Sequence, residues 1–230
     1  MSAFLSLIRA IADDDAHAAK KMLDAAPELA RQQAKVGASR QESTKYFFKS
    51  IGHYLYAGDT ALHMAAAAYD CACVQKLIAC GADVSAQNRR GAQPLHYAAD
   101  GRSDMKTSMA RKQARTIALL IEAGADSNAI NKDGVAPLHR AVRTRSAVAV
   151  KALLENGADA RRKNKSGSPP LHLAVQTTGA SASGSAWAKD QQRVIVQLLL
   201  KHGARLTDKD ARGKTARQCA AKDLSALLKD

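Results

Sequence analysis

The chain has 230 residues, a net charge of +14 and only 4% aromatic residues, while alanine is abundant. This composition favours thin helices that pack closely over a globular core built on large rings. No apolar run approaches the roughly 18 residues that a membrane-spanning helix needs. The stretch from Met1 to Ile11 also lacks the basic start and cleavage site of a secretory signal. We therefore expect a cytoplasmic protein without a membrane segment.

The N-terminal residues predict a pair of helices, Ala3–Ala12 and Ala16–Ala25. Apolar residues recur at helical spacing in both segments. Asp13–Asp15 lies between them and favours the start of the second helix, because carboxylates stabilise helix N-termini. Pro27 predicts one further short turn, with proline at its first position.

An aromatic-rich segment follows at residues 35–57. It holds five of the nine aromatic residues of the chain, namely Tyr46, Phe47, Phe48, Tyr54 and Tyr56. Either these side chains cover the exposed flank of the next structural unit, or the segment is an elongated finger that carries aromatic anchors for a partner. Loops of this length are uncommon unless they are functional or disordered, so both interpretations stay open. Residues 1–57 are assigned to one N-terminal capping unit.

From Gly58 onward, the phrase Gly-x-x-x-Leu-His occurs four times, with its histidines 33, 43 and 33 residues apart. These histidines are His63, His96, His139 and His172. A second phrase, Gly-Ala-Asp or Gly-Ala-Arg, keeps the same register at Gly81, Gly124, Gly157 and Gly203. A fixed period near 33 residues with Leu-His-x-Ala indicates a solenoid.

The two phrases resemble the ankyrin repeat family, whose unit is a β-turn finger followed by an antiparallel helix pair. The resemblance covers roughly residues 57–230 and implies an all-α solenoid of stacked helix-turn-helix repeats joined by β-turn or hairpin fingers. It implies full repeats over 58–90, 91–133, 134–166 and 167–212 and a C-terminal capping repeat over 213–230, in one continuous domain. It also implies that the four motif histidines are structural, because they hydrogen-bond within and between fingers.

Only one copy of the phrase keeps the threonine of the family motif, at Thr60. Gln93, Ala136 and Pro169 stand at that position in the other copies. Because threonine is a preferred helix N-cap, we expect the repeats after residue 90 to be held by leucine and alanine packing more than by capping hydrogen bonds.

Two repeats are longer than the others. The distance from the motif glycine to the helix-ending glycine is 23 residues in repeats 58–90 and 134–166, but 33 and 36 residues in the other two. The extra residues fall around 100–115, which is basic, and around 177–189, which is rich in glycine and serine and includes Trp187. Insertions of this kind lie on one side of a solenoid and often make a binding surface. We expect both to be surface loops.

No signature of catalysis or metal binding accompanies these repeats. Equivalent histidines of stacked repeats lie roughly 10 Å apart, too far for shared ligation or proton transfer. The four cysteines lack the paired spacing of a zinc site; they are Cys71, Cys73, Cys80 and Cys219. The first three fall inside one repeat and are predicted to be apolar fillers. We expect no enzyme activity, no cofactor, no metal and no small-molecule substrate.

Positive charge is concentrated in the C-terminal part of the chain. Residues 1–133 carry 17 basic and 14 acidic residues (net +3), and residues 134–230 carry 18 and 7 (net +11). In the ankyrin family, finger tips and the exposed face of the inner helices form the recognition surface. The resemblance therefore implies partner contacts at Tyr56, Arg89, Arg90, Asp100, Lys132, Asp133, Arg140, Arg143, Lys163, Lys165, Lys209, Arg212 and Lys214.

We predict a non-enzymatic scaffold that binds the acidic surface of another protein, since repeated positive charge steers such an encounter. One alternative is binding to the phosphate backbone of a nucleic acid. That alternative lacks a recognition motif, and aromatic residues do not interleave with the basic tips as stacking platforms would require. A second alternative is an enzyme or ligand-regulated module in which the inserts form a lid.

Overall fold

The computed structural model describes residues 2–39, 41–101, 107–176, 185–220 and 228. Two compact units make up the chain. The first consists of residues 1–98 and 111–126, and the second of residues 99–110 and 127–230. Among the described residues, no helix combines the length and apolar character that crossing a membrane requires.

The first unit is built from helix pairs and one short hairpin. Its helices are α1 (Ala3–Ala12), α2 (Ala16–Ala25), α3 (Ala61–Ala68), α4 (Cys71–Ala79), α5 (Pro94–Ala98) and most of α6 (Thr107–Glu122). Between α2 and α3 lie two 3₁₀ turns (Pro27–Arg31 and Thr44–Tyr46) and the antiparallel strands β1 (Phe47–Phe48) and β2 (His53–Tyr54). The predicted bounds of α1 and α2 and the turn after Pro27 are confirmed.

Alanine allows the helices of this unit to approach closely. The inner helix α3 buries every residue from Ala61 to Ala67 and packs against α1, α4 and α5. From α1, Leu7 and Ile8 are wholly buried, and burial of such a side chain contributes about 1.5–3 kcal/mol. Each helix pair therefore depends on its neighbour to cover its apolar face.

The outer helix α4 begins at a polar cap and ends at glycine. The side chain of Asp70 accepts a hydrogen bond from the Cys73 N–H at 3.0 Å and starts α4. Gly81 ends α4 at φ 83°. With the Ala82 N–H donating to the Leu77 carbonyl at 3.0 Å, this end is a Schellman motif, which favours glycine because it needs a left-handed residue.

The second unit repeats this plan. Its helices are α7 (Pro137–Arg143), α8 (Ala147–Glu155), α9 (Pro170–Val175), α10 (Ala186–Lys201) and α11 (Ala216–Cys219). The inner helices α7 and α9 pack together, α8 covers α7, and α10 packs on α8 and α9. Leu153, Leu171 and Leu199 form its buried centre with relative exposures of 0–1%.

The prediction that the inserts are surface loops is wrong for residues 107–115 and 186–189. These residues form the first turns of α6 and α10, each 16 residues long against 9 for α4 and α8. Ser185 caps α10 by accepting from the Ala188 N–H at 3.1 Å. Residues 102–106 and 177–184, the rest of the expected loops, lie outside the described residues.

The motif histidines lie at the third position of their inner helices and are wholly buried. Nδ1 of His63 accepts from the Thr60 N–H at 3.1 Å, and its Nε2 donates to the Ala92 carbonyl of the following finger at 3.0 Å. In the second unit, His172 Nε2 likewise donates to the Lys214 carbonyl at 2.9 Å. The two bonds of His63 require the neutral ring with its proton on Nε2.

The hydrogen bond between the motif histidine and the start of its inner helix is kept at two repeats after residue 90, and the larger contribution expected from leucine and alanine packing stays a prediction. His96 Nδ1 accepts from the Gln93 N–H and His139 Nδ1 from the Ala136 N–H, both at 3.1 Å. The bond survives because it needs a backbone N–H and a histidine, whatever side chain replaces threonine. Proline has no N–H, and beside Pro169 the buried Nδ1 of His172 has no hydrogen-bond partner.

Replacing His139 by glutamine is expected to reduce the loss of stability in acid. Burial lowers the pKa of His139 from its ordinary value of 6.5, so the unfolded chain takes up a proton more readily than the folded one. This contribution to the free energy of unfolding is therefore present above about pH 6.5 and is lost as the pH falls below it. Glutamine still accepts from the Ala136 N–H, as Gln218 does from the Thr215 N–H at 2.9 Å, but does not titrate.

Urea unfolding of both proteins at about pH 7.5 and pH 5.5 measures the effect. The control is His202→Gln, at an exposed histidine just after α10, which should leave the pH dependence unchanged. An equal loss of stability in wild type and His139→Gln would contradict the assignment.

Candidate functional site

In four fingers, an asparagine or aspartate three residues before the motif glycine stabilises the turn. These residues are Asn88, Asn131, Asn164 and Asp210. Their side-chain oxygens accept from the N–H four residues later, at 2.9–3.1 Å. In Asp210 these bonds, first from the Lys214 N–H and then from the Arg212 N–H, lower the pKa of the carboxyl group. The sequence interpretation missed this device, although the fixed spacing from each glycine signals it.

Three successive fingers of the second unit carry basic tips. We call the exposed side chains of Lys132, Lys163, Lys165, Lys209, Arg212 and Lys214 the basic finger surface. Neighbouring fingers touch, because the Lys165 N–H donates to the Asp133 carbonyl at 3.2 Å. At Gly167, a Cβ atom would lie 2.7 Å from Ala211 Cβ, so that glycine lets the third finger pack directly on the second.

Among the described residues, the cations of the basic finger surface have no acidic partners. Within the described part of the chain, none of the six lies within 4.0 Å of a carboxylate oxygen. Asp133 is exposed beside Lys132 and is one of the acidic groups on these fingers. The surface therefore presents net positive charge to solvent.

Arg161, on the same fingers, behaves differently. Its guanidinium donates to both carboxylate oxygens of Asp208 on the next finger, at 2.8 and 2.7 Å. The hydrogen bond from Arg161 lowers the pKa of Asp208. Arg161 therefore joins two fingers, and its charge is already paired.

Two of the predicted contact residues on the inner-helix side pair with each other. Arg140 donates through Nε to Asp100 Oδ1 at 2.8 Å and through Nη2 to Asp100 Oδ2. Both side chains are largely buried, with relative exposures of 23% and 20%. Arg143, one turn beyond Arg140, is exposed.

In the first unit, the structure brings Tyr56, Arg89 and Arg90 together. The guanidinium carbons of Arg89 and Arg90 lie over the Tyr56 ring, 5.4 and 4.9 Å from its centroid. Arg89 also donates through Nη2 to the Ala38 carbonyl. The statement that aromatic residues do not interleave with the basic tips is thus wrong at this finger.

The aromatic-rich segment has a buried part and an exposed part, and its predicted role as an anchor for a partner stays a prediction. Tyr46 and Leu55 are buried against the unit, whereas Phe47 is 41% exposed. The rings of Phe47, Tyr54 and Tyr56 form a series. Their centroids are 4.7 Å apart for Phe47 and Tyr54 and 6.1 Å apart for Tyr54 and Tyr56. We call Phe47, Tyr54, Tyr56, Arg89 and Arg90 the aromatic–arginine cluster.

A wholly buried carboxyl group holds this cluster in place. Asp59 accepts from the Tyr56 N–H at 2.6 Å, from Asn88 Nδ2 at 2.9 Å and from the Tyr97 hydroxyl at 2.8 Å. The side-chain oxygen Oδ1 of Asn88 accepts from the Arg90 N–H at 2.9 Å. Asp59 therefore fixes Tyr56 directly and Arg90 through Asn88. Sequence reasoning did not single out Asp59, because its burial depends on Tyr97, 38 residues away.

The four cysteines are free thiols. Burial raises the pKa of Cys73 to about 12, so this thiol stays protonated and behaves as a small apolar side chain. In the described residues, no group of three or more histidine, cysteine, aspartate or glutamate side chains is arranged to hold a metal ion.

Comparison with known protein families shows what the chain is similar to. The family model described as "Ankyrin repeats (3 copies)" matches residues 7–114 and 105–184, well over half of the chain. No curated protein is similar enough in sequence to count as a match.

Replacing Asp59 by asparagine is expected to lower the free energy of unfolding by about 1–3 kcal/mol, because an amide cannot accept from all three donors and at least one stays buried without a partner. The control is Tyr97→Phe, which removes one donor but leaves the carboxyl group to Tyr56 and Asn88, and should cost less. Chemical denaturation of both variants measures the difference. A cost for Asp59→Asn no larger than that for Tyr97→Phe would contradict this network.

Proposed function

Because the chain belongs to the ankyrin repeat family, whose members are generally protein–protein interaction modules and typically non-enzymatic, we propose that it is a scaffold that binds the acidic surface of a partner protein. Membership confirms the family resemblance, and together with the helix pairs it confirms the all-α repeat-solenoid fold class. The number of repeats and their boundaries stay predictions.

The observation that carries the proposal is the basic finger surface. Six exposed cations stand on three touching fingers without carboxylate partners among the described residues. Clustered charge of one sign raises the rate of association with a surface of the opposite sign. The finger backbones are fixed by their Asn or Asp turns, so little ordering is needed on binding.

Nucleic acid is the alternative for the same charges. Outside the first unit, the sequence from residue 127 to residue 230 holds one aromatic residue, Trp187 on α10, so the three basic fingers offer no ring on which bases could stack. Single-strand binding normally adds such stacking to phosphate contacts. This favours a protein partner.

Reversing four charges of the basic finger surface should weaken partner binding. The variant carries glutamate at Lys163, Lys165, Lys209 and Arg212, and a matched control carries glutamate at four exposed cations of outer helices, Lys112, Lys151, Arg193 and Lys201. A partner captured by the wild-type protein is identified and purified, and its affinity for all three proteins is measured by calorimetry. We expect at least a tenfold loss for the finger variant, about 1.4 kcal/mol or more, and little change for the control.

Salt and nucleic-acid probes complete this test. Wild-type affinity should fall when NaCl is raised to about 0.5 M, since screening shortens the reach of exposed charges. A partner that binds the finger variant as tightly as the wild-type protein would refute the proposal. Tighter binding of a duplex DNA probe than of a polyglutamate probe, lost in the finger variant, would favour the nucleic-acid alternative.

A further inference from the structure

The aromatic–arginine cluster of the first unit has the composition of a binding hot spot. Tyrosine and arginine dominate the energy of protein interfaces, especially where their side chains are held in place before the partner arrives. Here the Tyr56 backbone is fixed by Asp59, and the Arg90 backbone by Asn88. The Arg89 N–H also donates to the Ala57 carbonyl at 2.8 Å. The backbone that carries these three residues is thus fixed before a partner binds.

Its two guanidinium groups have no acidic partners in the part of the chain that the structure describes. In the described ranges, neither Arg89 nor Arg90 lies within 4.0 Å of a carboxylate oxygen. Arg89 gives part of its donor capacity to the Ala38 carbonyl, and Arg90 contacts the Tyr56 ring. A guanidinium offers five N–H donors in a planar fork that fits a carboxylate.

Apolar surface adjoins these cations. Phe47 is 41% exposed at the outer end of the ring series, and it contacts Tyr54 at a tilt of 46°. Tyr54 is tilted by 43° from Tyr56. The tilted rings make no set of parallel free faces for successive nucleobases, whereas they suit one bulky apolar side chain.

We propose that the aromatic–arginine cluster binds a short acidic peptide segment of a partner protein, in which an aspartate or glutamate adjoins a large apolar residue. The carboxylate pairs with the Arg90 guanidinium and the free donors of Arg89. The apolar side chain packs on Phe47 and Tyr54. The idea rests on the proposed function only in that the ligand is a protein segment, and it does not involve the basic finger surface.

Fluorescence anisotropy with labelled seven-residue peptides tests the assignment. The main probe has two adjacent aspartates followed by phenylalanine in a glycine–serine background. Comparison probes replace the aspartates by lysine, or the phenylalanine by glycine, and a labelled oligothymidylate serves as the nucleic-acid probe. We expect the main probe to bind more tightly than each comparison probe.

Variants then assign the binding to the cluster. Arg90→Gln and Phe47→Ala should each weaken binding of the main probe about tenfold. Arg193→Gln, which removes the same charge from an exposed position on α10 outside both proposed surfaces, should change it less than twofold. Circular dichroism and thermal unfolding establish that each variant is folded. Arg89 is left unchanged because it also contacts Ala38.

Several results would overturn the proposal. They are equal binding of the lysine probe, no effect of Arg90→Gln, tighter binding of oligothymidylate that depends on Phe47, or no peptide binding at millimolar concentration. Self-association detected by sedimentation and lost in Arg90→Gln would assign the cluster to a second copy of the chain instead.

The two proposals fail separately. Normal peptide binding by the four-charge finger variant, together with unchanged partner affinity, would refute only the basic finger surface. Loss of partner affinity in the finger variant, with no effect of Arg90→Gln on the peptide, would refute only the acidic-peptide assignment.

Discussion

Hydrogen bonding by the buried motif histidine is the interaction on which the structure of each unit depends. The His63 ring makes two bonds in different directions: Nδ1 accepts from the Thr60 N–H at the start of its own inner helix, and Nε2 donates to the Ala92 carbonyl of the next finger. A neutral imidazole is the side chain that combines both roles at this site. Because all four motif rings are buried and form hydrogen bonds to backbone groups, the repeated Leu-His phrase is a structural device.

The charged side chains of the fingers are of two kinds, those paired with a carboxylate and those without such a partner among the described residues. Arg161 with Asp208 and Arg140 with Asp100 form bidentate pairs and therefore hold neighbouring segments of the second unit together. The lysines of the basic finger surface have no such partners among the described residues. In the first unit, cation–π contacts with Tyr56 take the place of acidic partners for Arg89 and Arg90. Counting basic residues in the sequence cannot make this distinction, because it depends on which carboxylate lies across the next finger.

The periodic parts of the fold could be read from the sequence, and the contacts between distant residues could not. The bounds of α1 and α2, the family and the all-α repeat class followed from local spacing and motifs. The start of α6 at Thr107 did not follow from the sequence, because a basic stretch fits an exposed loop as well as a helix. Helix α6 buries Gln113, whose side-chain amide donates to the Tyr69 hydroxyl at 3.2 Å, and this is a tertiary contact. Asp59 escaped notice for the same reason. In the sequence, an aspartate beside the motif threonine resembles an ordinary turn residue. Its burial becomes evident only in the structure, where Asn88 and Tyr97 donate hydrogen bonds to it.

The central claim is that the buried Asp59 positions both Tyr56 and Arg90. Native-state hydrogen exchange of these two backbone amides, measured by NMR in the wild-type protein and in Asp59→Asn, tests it most directly. The account predicts that both amides are protected in the wild-type protein and that both exchange faster in the variant, while the Val135 amide, bonded to Asn131 in the second unit, is unchanged. An Arg90 amide that keeps its protection when Asp59 is replaced would contradict the claim.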